Sequence, residues 1–182
     1  MGLIYDRMDA FSADECERIV ALGEAGDPHA APVYGRAGEE TVDRAVRDVT
    51  TSYRARSDAT AWVYDRLDSL FAEAGAALGH IVGPIAEDVQ ILRYGPGCHF
   101  GLWHSDAGFD AHGARILSVS VELSEPGNYE GGMLEIVPDT VGRSRSLPRG
   151  GARFFPSRAL HRVTPVTRGV RHALVIWTGA PA

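Results

Sequence analysis

The chain has 182 residues, a formal net charge of −6 at pH 7, and 45% hydrophobic against 23% charged residues. That is the balance of one globular domain, not of a disordered, collagenous or coiled-coil chain. All 18 basic residues are arginine, which excludes a lysine Schiff base, and so ordinary PLP chemistry, and also a Walker A lysine.

The first eleven residues carry Asp6, Arg7 and Asp9 and lack the apolar core of a secretion signal. Ser12 is placed to cap a helix, with Glu15 three residues later to complete a capping box. Cys16, Ile19, Val20 and Leu22 give that helix its apolar contacts, and Gly23 and Gly26 are expected to end it. Residues 27–40, rich in Gly, Pro and Ala, read as loop, and residues 42–53 as holding a strand. A second helix is expected after a cap at Asp58, because Val63, Leu67, Leu70, Phe71, Ala74 and Leu78 fall on one stripe. It ends at Gly79 or at Gly83-Pro84. The two cysteines, Cys16 and Cys98, form no spacing motif and read as free thiols of a reducing cytoplasm.

After Pro84 the texture becomes short β-rich runs: 89–94, 99–104, 116–123, 133–137, 152–155, 160–163 and 170–177. Such spacing predicts an antiparallel sandwich or small open barrel. Long loops are expected at 105–114, 138–148 and 164–169. The fold class is thus mainly β with supporting helices. It is one domain, with residues 1–84 as a helical layer and 85–182 as the β core. An acidic chain without a basic run is not expected to bind nucleic acid. No run of about 18 apolar residues is present to cross a membrane.

His104 and Asp106 are two apart, so on a strand both side chains meet one ion. His-x-Asp is common, and alone it is weak. His161, near the start of a later strand, supplies the second imidazole of a two-histidine, one-carboxylate facial triad, the ligand set of non-haem Fe(II) oxygenases. Taken singly, it also suits a hydrogen-bonded core histidine. Arg171 lies ten residues further, within an apolar strand, where a guanidinium is costly unless paired with an anion. Its fork fits a carboxylate, from a ligand or from an acidic residue of the chain. Tyr94, ten residues before His104, can donate to the same anion or simply pack.

Together, Tyr94-Gly95-Pro96-Gly97, Trp103-His104-Ser105-Asp106, Leu123-Ser124-Glu125-Pro126, Tyr129-Glu130-Gly131-Gly132, Phe155-Pro156-Ser157 and 160–169 with Arg171 resemble a known family. It is the 2-oxoglutarate- and Fe(II)-dependent dioxygenases of the prolyl-4-hydroxylase-like group, and within it the small PKHD-type hydroxylases. The resemblance covers 89–181 strongly and the N-terminal helices loosely. It implies a double-stranded β-helix (jelly-roll) core on an N-terminal helical layer. His104, Asp106 and His161 would be the catalytic iron ligands. Arg171, helped by Tyr94, would hold the distal carboxylate of 2-oxoglutarate. Gly131 and Gly132 would form the turn before a strand starting at Met133. The implied activity is hydroxylation of a C–H bond with Fe(II), 2-oxoglutarate and O2, releasing succinate and CO2, with ascorbate as a candidate reductant. Asp106 separates the chain from halogenating relatives, which lack that carboxylate. The partner is a small-molecule or peptide substrate, amino-acid-like, peptidyl or a small metabolite.

Glu122 departs from the tyrosine that many prolyl hydroxylases carry at this position. It shares a strand face with Ser118 and Ser120, and like charges would keep it from holding an anionic oxoacid. It is expected instead to meet a cationic or hydroxyl group of the substrate, or to be protonated. Met133 stands where relatives often have a polar residue. Trp177, on the parity of Arg171, together with Trp103, Phe109 and His99, completes the candidate substrate or lid residues. Two alternatives use the same residues. One is a non-catalytic metal and 2-oxoglutarate sensor. The other is a cupin-type metal enzyme independent of 2-oxoglutarate, though such enzymes usually show His-x-His with a nearby Glu.

Overall fold

The computed structural model describes residues 3–34, 39–107, 115–137 and 146–181. A first strand, β1 (Tyr5–Arg7), precedes helix α1 (Ala13–Glu24). The short strands β2 (His29–Ala30), β3 (Val33–Tyr34), β4 (Glu40–Thr41) and β5 (Arg47–Asp48) lead to β6 (Thr50–Arg54) and helix α2 (Ala61–Leu78). Then come β7 (Val89–Tyr94), β8 (His99–His104), β9 (Leu117–Glu122), β10 (Tyr129–Gly131) and β11 (Leu134–Ile136). The chain closes with β12 (Ala152–Pro156), β13 (His161–Val163), β14 (Val166–Gly169) and β15 (Arg171–Thr178). Among the described residues no helix is long and apolar enough to cross a membrane.

A seven-stranded antiparallel sheet, ordered β1-β12-β9-β15-β7-β6-β2, faces a four-stranded sheet, β11-β13-β8-β5. This is the double-stranded β-helix with its helical layer. Side chains alternate along β9 and β15. The outward set, Leu117, Val119, Val121, Leu174 and Ile176, joins Val63, Leu67 and Phe71 of α2 in the main core. The inward set, Ser118, Ser120, Glu122, Arg171, Ala173 and Trp177, turns to the second sheet. A smaller core of Leu92, Tyr94, Val163 and Val166 lies between the sheets. Putting polar residues on the inner face of a central strand only makes sense if they have work there.

Helix α1 begins as the sequence predicts. Ser12 Oγ accepts from the Glu15 amide at 3.2 Å, and the Ser12 amide donates to the Glu15 carboxylate at 2.8 Å. The helix ends at Glu24, between Gly23 and Gly26 as expected, and Gly23 in its last turn has a second part to play. A Cβ there would stand 2.6 Å from Ile91 Cγ2, so the glycine lets α1 approach the sheet. At α2 the expected cap at Asp58 gives way to Thr60, whose hydroxyl is taken by the preceding turn. It donates to the Ala55 carbonyl at 2.7 Å and accepts from the Ser57 amide at 2.9 Å, and no side chain caps the helix. Gly79, left-handed at φ 70°, ends it.

Four loop or silent segments prove to hold strands, among them β10 at Tyr129–Gly131. β1 is an edge strand held on β12. The predicted loop 164–169 contains β14, which pairs with β10, and the loop 27–40 contains β2, β3 and part of β4. All are short and weakly patterned, so their partners rather than their own residues define them.

Candidate metal centre

His104 ends β8 and His161 begins β13, and the two face each other in register. Asp106, two residues past the end of β8, joins them. One ligand atom from each of the three residues lies within 4.8 Å of the others. His161 Nε2 is 3.4 Å from Asp106 Oδ2, and His104 Nε2 is 3.9 Å from Oδ1.

The surroundings fix which atoms are free to bind. Nδ1 of His104 pairs with the Leu102 carbonyl at 2.9 Å, and Nδ1 of His161 with the Ala159 carbonyl at 3.0 Å. Each Nδ1 therefore carries the hydrogen, and each Nε2 turns a lone pair inward. Phe100 stacks on His104 at 3.6 Å, and Phe155 meets His161 edge-on at 4.8 Å. Asp106 Oδ2 accepts from Ser118 Oγ at 2.7 Å, and Ser118 in turn lies 3.0 Å from Ser157 Oγ. Ser118 thus stands between the Ser157 hydroxyl and the Asp106 carboxylate and is the donor to Asp106. The amides of Asp106 and Ala107 both donate to the Ser157 carbonyl, which locks the turn.

The charges follow. Burial pushes the His104 imidazole down to about 4, with help from His161. Burial also works against the Asp106 carboxylate, yet His161 and then His104 more than offset it and hold its pKa below the usual range. Burial disfavours a cation at His161, but Asp106 outweighs it and raises that pKa. Two imidazole lone pairs and one carboxylate converging from one side suit a first-row divalent metal such as Fe(II). The donor set fits that ion.

Further along the same interior, Arg171 opens β15 opposite Tyr94 of β7. From Ser118 to Glu122 is four residues of β9, roughly 13 Å of strand, so the guanidinium region lies well away from the metal ligands. Ser120, Glu122, Gly132, Ser146, Arg153 and Arg171 line a small, partly open cavity. Arg171 Cζ sits 5.5 Å from the Tyr94 ring centre. Its Nε donates to Glu122 Oε2 at 2.9 Å, and both side chains are 5% exposed. Gly132, at φ 60°, comes so close that a Cβ would be 3.1 Å from Arg171 Cδ.

The remaining candidates scatter. Trp177 is inside, on the metal side. It is close enough to Asp106 to favour the carboxylate, although its indole N–H closes no hydrogen bond of standard geometry. Arg115 lies over its ring at 3.7 Å, pairs with Glu87, and donates to the Asp106 carbonyl at 3.2 Å. Trp103 points outward, 38% exposed, with Arg162 over its ring. His99 is engaged by the carbonyls of Gly97 and Ala45. Phe109 lies outside the described residues. Glu122 faces Arg171, not the metal ligands. Ser118, Ser157 and Arg115 were not singled out in the sequence. For Ser118 the signal was there, in a polar residue every second place along an otherwise apolar strand.

Ser118→Ala is expected to weaken Fe(II) binding about 10- to 100-fold, the range for losing a partner that orients a ligand. Equilibrium dialysis against Fe(II) under argon measures it. An unchanged affinity would mean that the backbone clamp alone positions Asp106.

The family model described as the 2OG-Fe(II) oxygenase superfamily matches residues 89–179. A PKHD-type hydroxylase of Klebsiella pneumoniae strain 342 is 33% identical over 183 residues, 96% of this chain and 77% of that protein. Another, from K. pneumoniae subsp. pneumoniae, is 43% identical over 91 residues, so the match spans 47% of this chain and only 40% of that relative's length. Among solved structures, a Pseudomonas putida prolyl-4-hydroxylase superposes with a TM-score of 0.72 at 19% identity, over 99% of this chain and 94% of its own. A prolyl hydroxylase from Trichoplax adhaerens, in complex with a hypoxia inducible factor oxygen degradation domain peptide fragment, reaches 0.75 at 16%, over 97% and 83%. At those identities the superpositions speak for the fold.

Proposed function

The chain belongs to the 2OG-Fe(II) oxygenase superfamily, and from that premise we propose that it hydroxylates an unactivated C–H bond of an amino-acid-like, peptidyl or small-metabolite substrate, with release of succinate and CO2. The observation that carries this reading is the convergence of His104, Asp106 and His161 on one point between the sheets. In this reading those three residues hold Fe(II), and Arg171, backed by Tyr94, anchors the distal carboxylate of 2-oxoglutarate. The bound iron and oxoacid together supply the activation of O2.

The chain's own side chains do the rest. Arg171 sets the direction of the oxoacid by gripping the end that does not react. Ser118 and Ser157 keep Asp106 aimed and ionised. Trp177, with Arg115 over its face, walls the interior beside the metal ligands and limits water there. No side chain has to serve as general acid or base. The free thiols of Cys16 and Cys98 agree with a cytoplasmic setting.

The experiment is an anaerobic titration of the purified protein with Fe(II) and then 2-oxoglutarate, followed by visible absorbance. A charge-transfer band that is lost in His161→Ala supports the reading, and substrates are then screened by succinate release. An iron-loaded, folded protein that gives no band with 2-oxoglutarate sinks it and favours a metal enzyme that does not use this oxoacid.

A further inference from the structure

Glu122 brings a carboxylate to the arginine that the proposed function reserves for the oxoacid. The pair is formed through Nε of Arg171 alone. Arg171 lines the cavity, and its two Nη groups have no hydrogen-bond partner among the described residues. Arg153, the other cation on the cavity wall, holds Asp6 with Nε at 2.8 Å and Nη2 at 2.9 Å. Among the described residues, Arg171 is thus engaged by Glu122 within the cavity, and Arg153 by Asp6. A distal carboxylate arriving on the Nη side of Arg171 would be a second anion on one guanidinium. At 4–5 Å and an effective dielectric of about 20, two such charges repel by a factor on the order of several hundred in affinity.

We propose that Glu122 sets the oxoacid affinity of this chain: the distal carboxylate of 2-oxoglutarate takes the Nη side of Arg171 only as Glu122 takes up one proton from solvent. The inference rests on the oxygenase reading above. Glu122 is built for that exchange. It faces Arg171 on β15 and Tyr129 on β10, with the Ser124 amide 3.3 Å from Oε1. Tyr94 on β7, Arg153 on β12 and, through the sheet, the Cys16 thiol of α1 also feel or face its charge. Burial already raises its pKa against the pull of Arg171. Once neutral, the acid offers its hydroxyl hydrogen to the incoming carboxylate, and Arg171 keeps one anion instead of two. Proton uptake on binding means that affinity improves as pH falls, until Glu122 is already protonated in the free protein.

The test is calorimetry of 2-oxoglutarate binding to the Fe(II)-loaded protein under argon, in two buffers of different ionisation enthalpy. The expected result is uptake of close to one proton, with Kd rising by up to about tenfold per unit between about pH 6 and about pH 8. 2-Oxobutyrate, which lacks the distal carboxylate, should bind without taking up that proton. Glu122→Gln should bind 2-oxoglutarate more tightly at the upper end of that range and lose the slope. A flat profile with no proton uptake in the wild type overturns the inference, and so does equal uptake with 2-oxobutyrate. Both wild-type results stand even if Glu122→Gln does not fold. If 2-oxoglutarate does not bind the iron-loaded protein at any pH, it is the oxygenase reading that falls.

Discussion

Asp106→Ala is expected to abolish turnover and to lower Fe(II) affinity by more than about 100-fold, beyond what losing an orienting partner costs. The candidate centre offers three ligands, of which one is an anion, and the substitution removes it. Two imidazoles from neighbouring strands then remain to hold a dication with no charge to offset it. The fold should survive, because the turn is tied by the backbone. The amides of Asp106 and Ala107 reach the Ser157 carbonyl without help from the carboxylate. The loss should therefore appear as an apoprotein of unchanged circular dichroism that fails to retain iron on dialysis. Stoichiometric iron in Asp106→Ala would show that the carboxylate is not needed to hold the metal. Set beside Ser118→Ala, the variant grades the centre, since deleting the ligand must cost more than deleting the hydroxyl that aims it.

What the sequence made legible, and what it hid, divides along a physical line. Seven of the nine strands described after Pro84 were visible because each is a β-rich run between turn residues, and the Ser12–Glu15 box because its chemistry is local. Gly23 was legible only in part. A glycine near a helix end reads as a stop, and only the Ile91 side chain across the interface shows that it is a point of close approach. β1 and β14 were unreadable because three- and four-residue strands owe their form to β12 and β10. At the site, His104, Asp106, His161 and Arg171 stood out through residue type and spacing. The partner of Glu122 did not. Parity placed its side chain inside, and charge repulsion argued against an anion beside it. The pairing with Arg171, however, depends on β9 and β15 being neighbours, with Ala173 opposite Glu122, a fact of topology that no local pattern carries. The Ser157–Ser118–Asp106 relay was hidden for the same reason, because it joins residues that are 12 and 39 positions apart.

Arg171→Ala should weaken 2-oxoglutarate binding about 30- to several-thousand-fold, the equivalent of about 2–5 kcal/mol for truncating one side of a buried charge-assisted contact. It should also do something that a simple ligand-binding residue would not. Glu122 would be left as a buried carboxylate without its partner, which costs about 3–5 kcal/mol of stability. At about 2–4 °C per kcal/mol for a chain of this size, Tm falls by roughly 6–20 °C. The two losses separate in the double variant Arg171→Ala/Glu122→Gln. Neutralising Glu122 removes the stranded charge, so most of the thermal stability should return, while the oxoacid still finds no fork to grip. Recovery of stability without recovery of the charge-transfer band assigns both roles to Arg171: counter-ion to Glu122 in the free protein and anchor for the ligand. If the double variant regains oxoacid binding as well, the anchor is not Arg171, and Arg153 on the same cavity wall becomes the group to replace next. Arg171→Lys sharpens the comparison. It keeps the positive charge beside Glu122 but has one ammonium where the guanidinium has a fork. It should preserve Tm better than alanine does and still bind 2-oxoglutarate poorly, because a point charge satisfied by Glu122 has no second face to offer.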